Sequence, residues 1–183
     1  MNLNIQSGLI DSAEQHDSPN CDDRENHTEP EVIILHCISL PPGNYQTNAI
    51  TDFFCNQLDS EQDPYFAEIA DLKVSSHFLI RRDGQLIQYV PTTKRAWHAG
   101  ESVCLGKPAV NDFSIGIELE GIDTDQEGFT DSQYSVLNDL ITCLRKSYTS
   151  IKTNNVFAHS DIAPGRKSDP GPYFLWSKLE VGF

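Results

Sequence analysis

The chain has 183 residues, enough for one domain with a real core, and its 38% hydrophobic and 22% charged content is ordinary for a globular protein. Its net charge is −14, and residues 1–31 hold half of it: Asp11, Glu14, Asp17, Asp22, Asp23, Glu25, Glu29 and Glu31 face only Arg24. Such acidity argues against nucleic acid or an anionic membrane surface as partner.

No run of about 18 apolar residues is present, so no membrane-spanning helix is expected. The opening MNLNIQSGLIDSAE has no basic stretch followed by a long apolar core and does not read as a secretory signal. The five cysteines, Cys21, Cys37, Cys55, Cys104 and Cys143, are odd in number and form no C-x-x-C pair. Reduced thiols in a cytoplasmic protein are the expectation, and zinc fingers or thioredoxin-like chemistry are not.

In chain order, residues 1–30 read as an acidic, loosely ordered lead-in, and 31–183 as a single domain. "EVIILH" is a buried strand ending at His36. "SLPPGN" is a turn, and 48–59 is a helix with Ile50, Phe53, Phe54 and Leu58 on one stripe. "VSSHFLIRRDGQLIQYV" is two strands around Asp83-Gly84, a hairpin signal. "FSIGIELEG" alternates, with Ile115, Ile117 and Leu119 on one face and Ser114, Gly116, Glu118 and Glu120 on the other. Thr130 and Gln133 fit a capping box ahead of a helix carrying Tyr134, Leu137, Leu140, Ile141, Leu144 and Tyr148. "NNVFAH" is another strand, and "FLWSKLE" a short closing helix. Mixed strands and helices with one hairpin predict an α/β fold, a mixed central sheet flanked by helices.

His36 and His159 each end an apolar strand, where α/β proteins gather their sites. Two imidazoles and one carboxylate can hold zinc and leave a fourth position open for water, the arrangement of a catalytic rather than a structural zinc. The carboxylate is Asp161, two residues beyond His159, or Asp169, brought back by the stiff "AHSDIAPGRKSDPGP" loop; spacing alone leaves both open. The H-x-D spacing of a facial-triad iron site lacks its downstream His. His16 and His27 read as solvated, and His77, inside an apolar strand, as structural. His98 in "RAWHAG" reads as lining a pocket, and Trp97 as either core or a face for a sugar.

Glu118 and Glu120 share a strand face about 6–7 Å apart, from the strand rise. That face is a solvated surface or, with Ser114 and Gly116 beside it, a groove floor. The pair alone also fits a metal-free glycosidase, which leaves His36, His159 and the stiff loop without a role. Cys37 points away from its neighbour His36, so a cysteine hydrolase is disfavoured.

Five segments in order, "HCISLPPG", "PYFAEIADLKVSSHFLIRRDGQLIQYVP", "KRAWHAG", "NDFSIGIELEG" and "APGRKSDPGP", resemble the AmpD-type amidases, the cytosolic 1,6-anhydro-N-acetylmuramyl-L-alanine amidases of bacterial cell-wall recycling. The likeness runs from about Glu29 to Trp176. It implies a zinc amidase fold like that of the peptidoglycan-recognition proteins, with one zinc held by His36, His159 and Asp169. It also implies Glu118 as general base and Lys167 as stabiliser of the oxyanion. Lys73, Trp97 and His98 are candidate substrate contacts. The implied substrate is an anhydro-muropeptide, cut between the lactyl group and L-Ala by a monomeric cytoplasmic enzyme, thereby lowering the inducers of β-lactamase expression. A non-catalytic muropeptide-binding module is the alternative. Three departures stand out: Cys37 replaces the usual Asn, Ala109-Val110 the usual Arg-Cys, and Lys73 the usual Arg, losing its bidentate fork.

Overall fold

The computed structural model describes residues 1–25 and 28–180; the solvated reading of His27 lies outside them. Six strands form the central sheet, in the order β12-β5-β11-β6-β7-β3. They are β3 (Glu14–Gln15), β5 (Val32–Ile38), β6 (Phe78–Ile80), β7 (Leu86–Gln88), β11 (Ser114–Glu120) and β12 (Val156–Ala158). β12, β5, β11 and β6 run parallel, and β7 returns antiparallel to β6 through the Asp83-Gly84 turn. The sheet is therefore mixed, as the alternation of elements predicts.

The two faces of β5 and β11 are buried against different partners, which explains the apolar run in β5. Ile33, Leu35, Ile115, Ile117 and Leu119 pack with Leu137, Leu140, Ile141 and Leu144 of α3 (Asp131–Ser147). That helix opens with the predicted capping box: the Thr130 hydroxyl accepts from the Gln133 amide while the Gln133 side chain accepts from the Thr130 N–H. On the opposite face α1 (Ala49–Phe54) and α2 (Pro64–Ile69) cover β6 and β7 through Phe53, Phe54 and Phe66. All seven residues of β11 are buried, so its polar face is no solvated surface.

The expectation of a loosely ordered lead-in is corrected. β1 (Leu3–Asn4) pairs with β2 (Leu9–Ile10), β3 extends the central sheet, and β4 (Cys21–Asp23) pairs with β8 (Lys94–Ala96). The reason is that backbone pairing, invisible to a count of apolar residues, anchors the segment. Side chains add to it. The Ser18 hydroxyl and the Asn20 amide both donate to the Phe54 carbonyl, and Asn20 also pairs with Asn56. Asn56 lies in the left-handed region at φ 58°. The helix predicted over 48–59 accordingly stops at Phe54, its end satisfied by this segment. Arg24 is 6% exposed, and its guanidinium donates to the carbonyls of Thr92, Asp112 and Ser114.

The closing helix predicted over 174–180 shortens to a 3-10 turn at Trp176–Lys178. Among the described residues no helix is long and apolar enough to cross a membrane.

Removing the Arg24 guanidinium strands several buried carbonyls, each costing about 1–3 kcal/mol. Arg24→Ala is expected to lower the unfolding free energy by at least about 2 kcal/mol in a urea titration. A loosely attached lead-in would leave the midpoint unchanged.

Candidate active site

β11 lies parallel to β5 in a register that makes Glu118 the partner of His36. Both side chains emerge on the face away from α3, near the C-terminal ends of the strands. β12 pairs on the other side of β5, Ala158 opposite Leu35, and the chain turns at once into α4 (His159–Ile162). His159 is thus delivered beside His36. The stiff loop after α4 then curls back: the Ser160 N–H donates to the Asp169 carbonyl, and Arg166 donates to the carbonyls of Ala99 and Glu101, both at 2.6 Å. Ser168 donates to the Asp123 carboxylate.

Three donor atoms meet there. His36 Nδ1 and His159 Nδ1 are 2.9 Å apart, and Asp169 Oδ2 is 3.1 Å from each. Both histidines are buried. Burial pushes the His36 imidazole down to about 4, so it stands neutral with a lone pair to offer. Burial works to raise Asp169 too, but the close approach of the His159 and His36 rings outweighs it and holds that carboxyl well below the usual range. Asp161 is elsewhere. Its carboxylate accepts from the Ala158 N–H at 2.9 Å and caps α4, so of the two acids the geometry brings only Asp169 to the histidines.

These residues suit a metal ion. Bonds of 2.0–2.1 Å in a tetrahedron put neighbouring donor atoms about 3.3 Å apart, close to the triangle observed. The outer nitrogens are engaged as well: His159 Nε2 meets the Ala99 carbonyl at 3.1 Å, and His36 Nε2 meets His98 Nδ1 at 2.9 Å. Partners of this kind fix the orientation of rings that hold a metal.

Glu118 and Glu120, alike in the sequence, separate completely. Glu118 is 8% exposed, and its Oε2 is buried with no hydrogen-bond partner in the protein. Burial first, and then the charge of Asp169, raise its carboxyl well above the ordinary range, while Lys167 opposes this. Glu120 is fully buried and occupied. One oxygen accepts from the Gln46 N–H at 2.6 Å and the other from the Arg82 N–H at 3.0 Å. It ties two loops to the end of β11 and is unavailable for chemistry, which removes the glycosidase reading of the pair.

A groove of about 540 Å³ opens over His36, Glu118, His159 and Asp169. One wall is apolar, with Leu40, Pro42, Tyr65 and Leu72; the other is polar, with Asp123 and Lys167. His98 and Cys37 also line it. Burial raises the Cys37 thiol far above its normal value, so it is no nucleophile at neutral pH. Lys73 is exposed and Trp97 hydrogen-bonds Asp22; neither is among the residues that line the groove, although Leu72 and Val74, on either side of Lys73, are. His77 takes the structural part expected of it: its Nδ1 accepts from the Gly116 N–H and its Nε2 meets the Lys94 carbonyl. Motif reading missed Arg166 as the strut of the loop, Asn111, whose Oδ1 accepts from the His98 and Ala99 N–H groups, and the apolar wall. The cluster "RAWHAG" held part of that signal, since two of its residues serve the site.

The N-acetylmuramoyl-L-alanine amidase family model matches residues 26–172. The chain belongs to that family. It is accordingly a hydrolase acting on an amide bond. It is 46% identical over 177 residues to the 1,6-anhydro-N-acetylmuramyl-L-alanine amidase AmpD of Escherichia coli K12, covering 97% of this chain and 95% of that protein. The crystal structure of a selenomethionine AmpD derivative superposes with a TM-score of 0.93 at 46% identity, over 98% of this chain and 97% of the other. The amidase AmiD of E. coli was solved in complex with the substrate anhydro-N-acetylmuramic acid-L-Ala-D-γ-Glu-L-Lys. It matches with a TM-score of 0.61 at 32% identity, over 86% of this chain and 59% of that one.

The two glutamates are expected to part in stability measurements. Glu120→Ala leaves two backbone N–H groups without acceptors and should cost about 2–5 kcal/mol. Glu118→Gln removes a buried carboxyl whose ionised form burial disfavours and whose Oε2 has no hydrogen-bond partner, and it should unfold at an equal or higher urea midpoint than the parent.

Proposed function

We propose that this amidase hydrolyses the bond between the lactyl group of 1,6-anhydro-N-acetylmuramic acid and L-Ala in muropeptides, with one zinc ion held by His36, His159 and Asp169. One observation carries the reading: three donor atoms converge on the groove floor beside a buried, unpartnered glutamate oxygen. The high identity to AmpD along nearly the whole chain, and the substrate bound to the related AmiD, support the choice of substrate.

Zinc at this position would lower the pKa of a water molecule and polarise the scissile carbonyl. Glu118 takes the proton from the attacking water, aided by its raised affinity for protons. The water oxygen bonds to the carbonyl carbon, the carbon–nitrogen bond breaks, and Glu118 returns the proton to the departing L-Ala nitrogen. A free carboxylic acid and a free peptide amine result. Lys167, on the polar wall, stabilises the negative charge that develops on the carbonyl oxygen. Buried His36 and His159 need only hold their orientation.

The five cysteines stand unpaired, in keeping with the reducing cytoplasm, where recycled muropeptides would be met. Removal of these peptides would lower inducers of β-lactamase in bacteria that carry that response.

Purified protein should contain one zinc per chain and release free peptide from an anhydro-muropeptide; chelation should stop release and added zinc restore it. Asp169→Ala should lose tight zinc, while Asp161→Ala should keep it. If the protein binds the muropeptide without cleaving it at any zinc level, it is a binding module instead. Glu118→Gln should keep zinc and lose about 10²–10⁴ in kcat, the scale for a positioned base. Lys167→Ala should lower kcat by about 10²–10³ with a smaller change in KM. A raised KM with kcat intact would make Lys167 a binding residue.

A further inference from the structure

The turn Trp97–Gly100 touches both histidines of the triad from behind. The Ala99 carbonyl meets His159 Nε2 at 3.1 Å, and His98 Nδ1 meets His36 Nε2 at 2.9 Å. Adjacent residues of one turn thus engage the outer nitrogens of two different side chains. The turn is itself fixed, since Asn111 Oδ1 accepts from the His98 N–H at 3.2 Å and the Ala99 N–H at 2.8 Å.

A backbone carbonyl can only accept, so His159 must carry its proton on Nε2. An imidazole nitrogen can donate or accept, so the His36–His98 contact needs a second constraint. His36 Nδ1 already faces His159 Nδ1 and the Asp169 carboxylate. For that nitrogen to offer a lone pair, Nε2 must carry the proton and donate to His98 Nδ1. His98 then holds its own proton on Nε2, where Ser114 Oγ lies at 3.0 Å to accept it. The whole chain of contacts is consistent with one set of tautomers.

The seat of His98 is equally specific. Its ring lies on Gly116 of β11, where an added Cβ would come within 2.6 Å of His98 Cγ and 2.7 Å of Nδ1. Gly116 has no left-handed φ, so space and not backbone conformation requires the glycine. Its N–H is taken by His77 Nδ1 at 3.0 Å, which fixes this stretch of β11 beneath the ring.

We propose that His98 is a positioning residue of the metal centre: it accepts from His36 Nε2–H and so presents His36 Nδ1, unprotonated and correctly turned, toward His159 and Asp169. This rests on the zinc reading above. It also replaces the reading of His98 as a substrate contact with a role exerted through His36. Gly116 acts one step further back, as the gap that lets His98 reach His36.

The experiment measures zinc affinity by chelator competition in the full chain and in His98→Phe, His98→Asn and Gly116→Ala. Phe keeps a ring but has no acceptor. Asn carries an acceptor oxygen at the same distance along the side chain as Nδ1. Loss of a hydrogen-bond partner behind a metal-binding histidine weakens the metal about 10–100-fold. That loss is expected for His98→Phe and Gly116→Ala, with His98→Asn recovering most of it. Circular dichroism checks the fold of each variant. Nitrogen-15 NMR of the zinc-loaded protein supplies a readout that bulk alone would not move. The His36 Nε2–H should be a slowly exchanging, downfield signal in the parent and in His98→Asn, and absent from His98→Phe. If a folded His98→Phe holds zinc as tightly as the parent and keeps that signal, or if His98→Asn is as weak as His98→Phe, His98 does not position His36. If the parent takes up no zinc, the metal reading fails and this inference with it.

Discussion

The parallel register of β11 on β5 is the constraint from which the site follows. Pairing Glu118 with His36 sets an acid and an imidazole side by side on the face away from α3. One residue of slip would turn Glu118 into the apolar layer under α3 and bring Leu119 to the groove, because side chains alternate along a strand. The apolar half of each strand prevents it. Ile115, Ile117 and Leu119, with Ile33 and Leu35, are locked into the core beneath α3. The hydrophobic effect on one face thereby fixes the chemistry on the other.

Around that register most buried polar groups have a defined partner; among the described residues four buried side-chain atoms, Ser76 Oγ, Arg81 Nε, Arg145 Nε and Glu118 Oε2, have none. Glu120 satisfies two backbone N–H groups. Arg24 satisfies the carbonyls of Thr92, Asp112 and Ser114, from two segments of the chain. His77 serves the Gly116 N–H inside the sheet. Of these four atoms only the Oε2 of Glu118 belongs to a carboxylate and to a residue that lines the groove, beside the convergent donors. Polar groups that hold the structure are satisfied within it; a group awaiting water or substrate is not.

The N-terminal segment shows how a fold recruits a polar stretch. It contributes few core side chains, Ile10 among them, yet closes the end of α1, extends the sheet and pairs with β8. Its cohesion comes from backbone pairing and from Ser18, Asn20 and Arg24 reaching across distances of 34 to 90 residues in sequence. The β8 strand that it pairs with leads directly into the turn bearing His98 and Ala99, so the segment also braces the rear of the site.

What the sequence by itself determined was local. The hairpin at Asp83-Gly84, the capping box of Thr130 and Gln133, the apolar run before His36 and the stiff loop carrying Asp169 depend on neighbours a few residues apart, where dihedral preference and periodicity act directly. The likeness of five ordered motifs also picked out His36, His159, Asp169 and Glu118. Tertiary structure alone decided the rest: that Glu118 is free and Glu120 occupied, that Asp161 caps α4, that Trp97 faces Asp22 and not the groove, and that His98 stands behind His36. Two acids on one strand face have the same local sequence signature. They differ only in what distant segments bring to them, Gln46 and Arg82 to one and an open groove to the other, and no local preference encodes contacts made across 38 or 74 residues of chain.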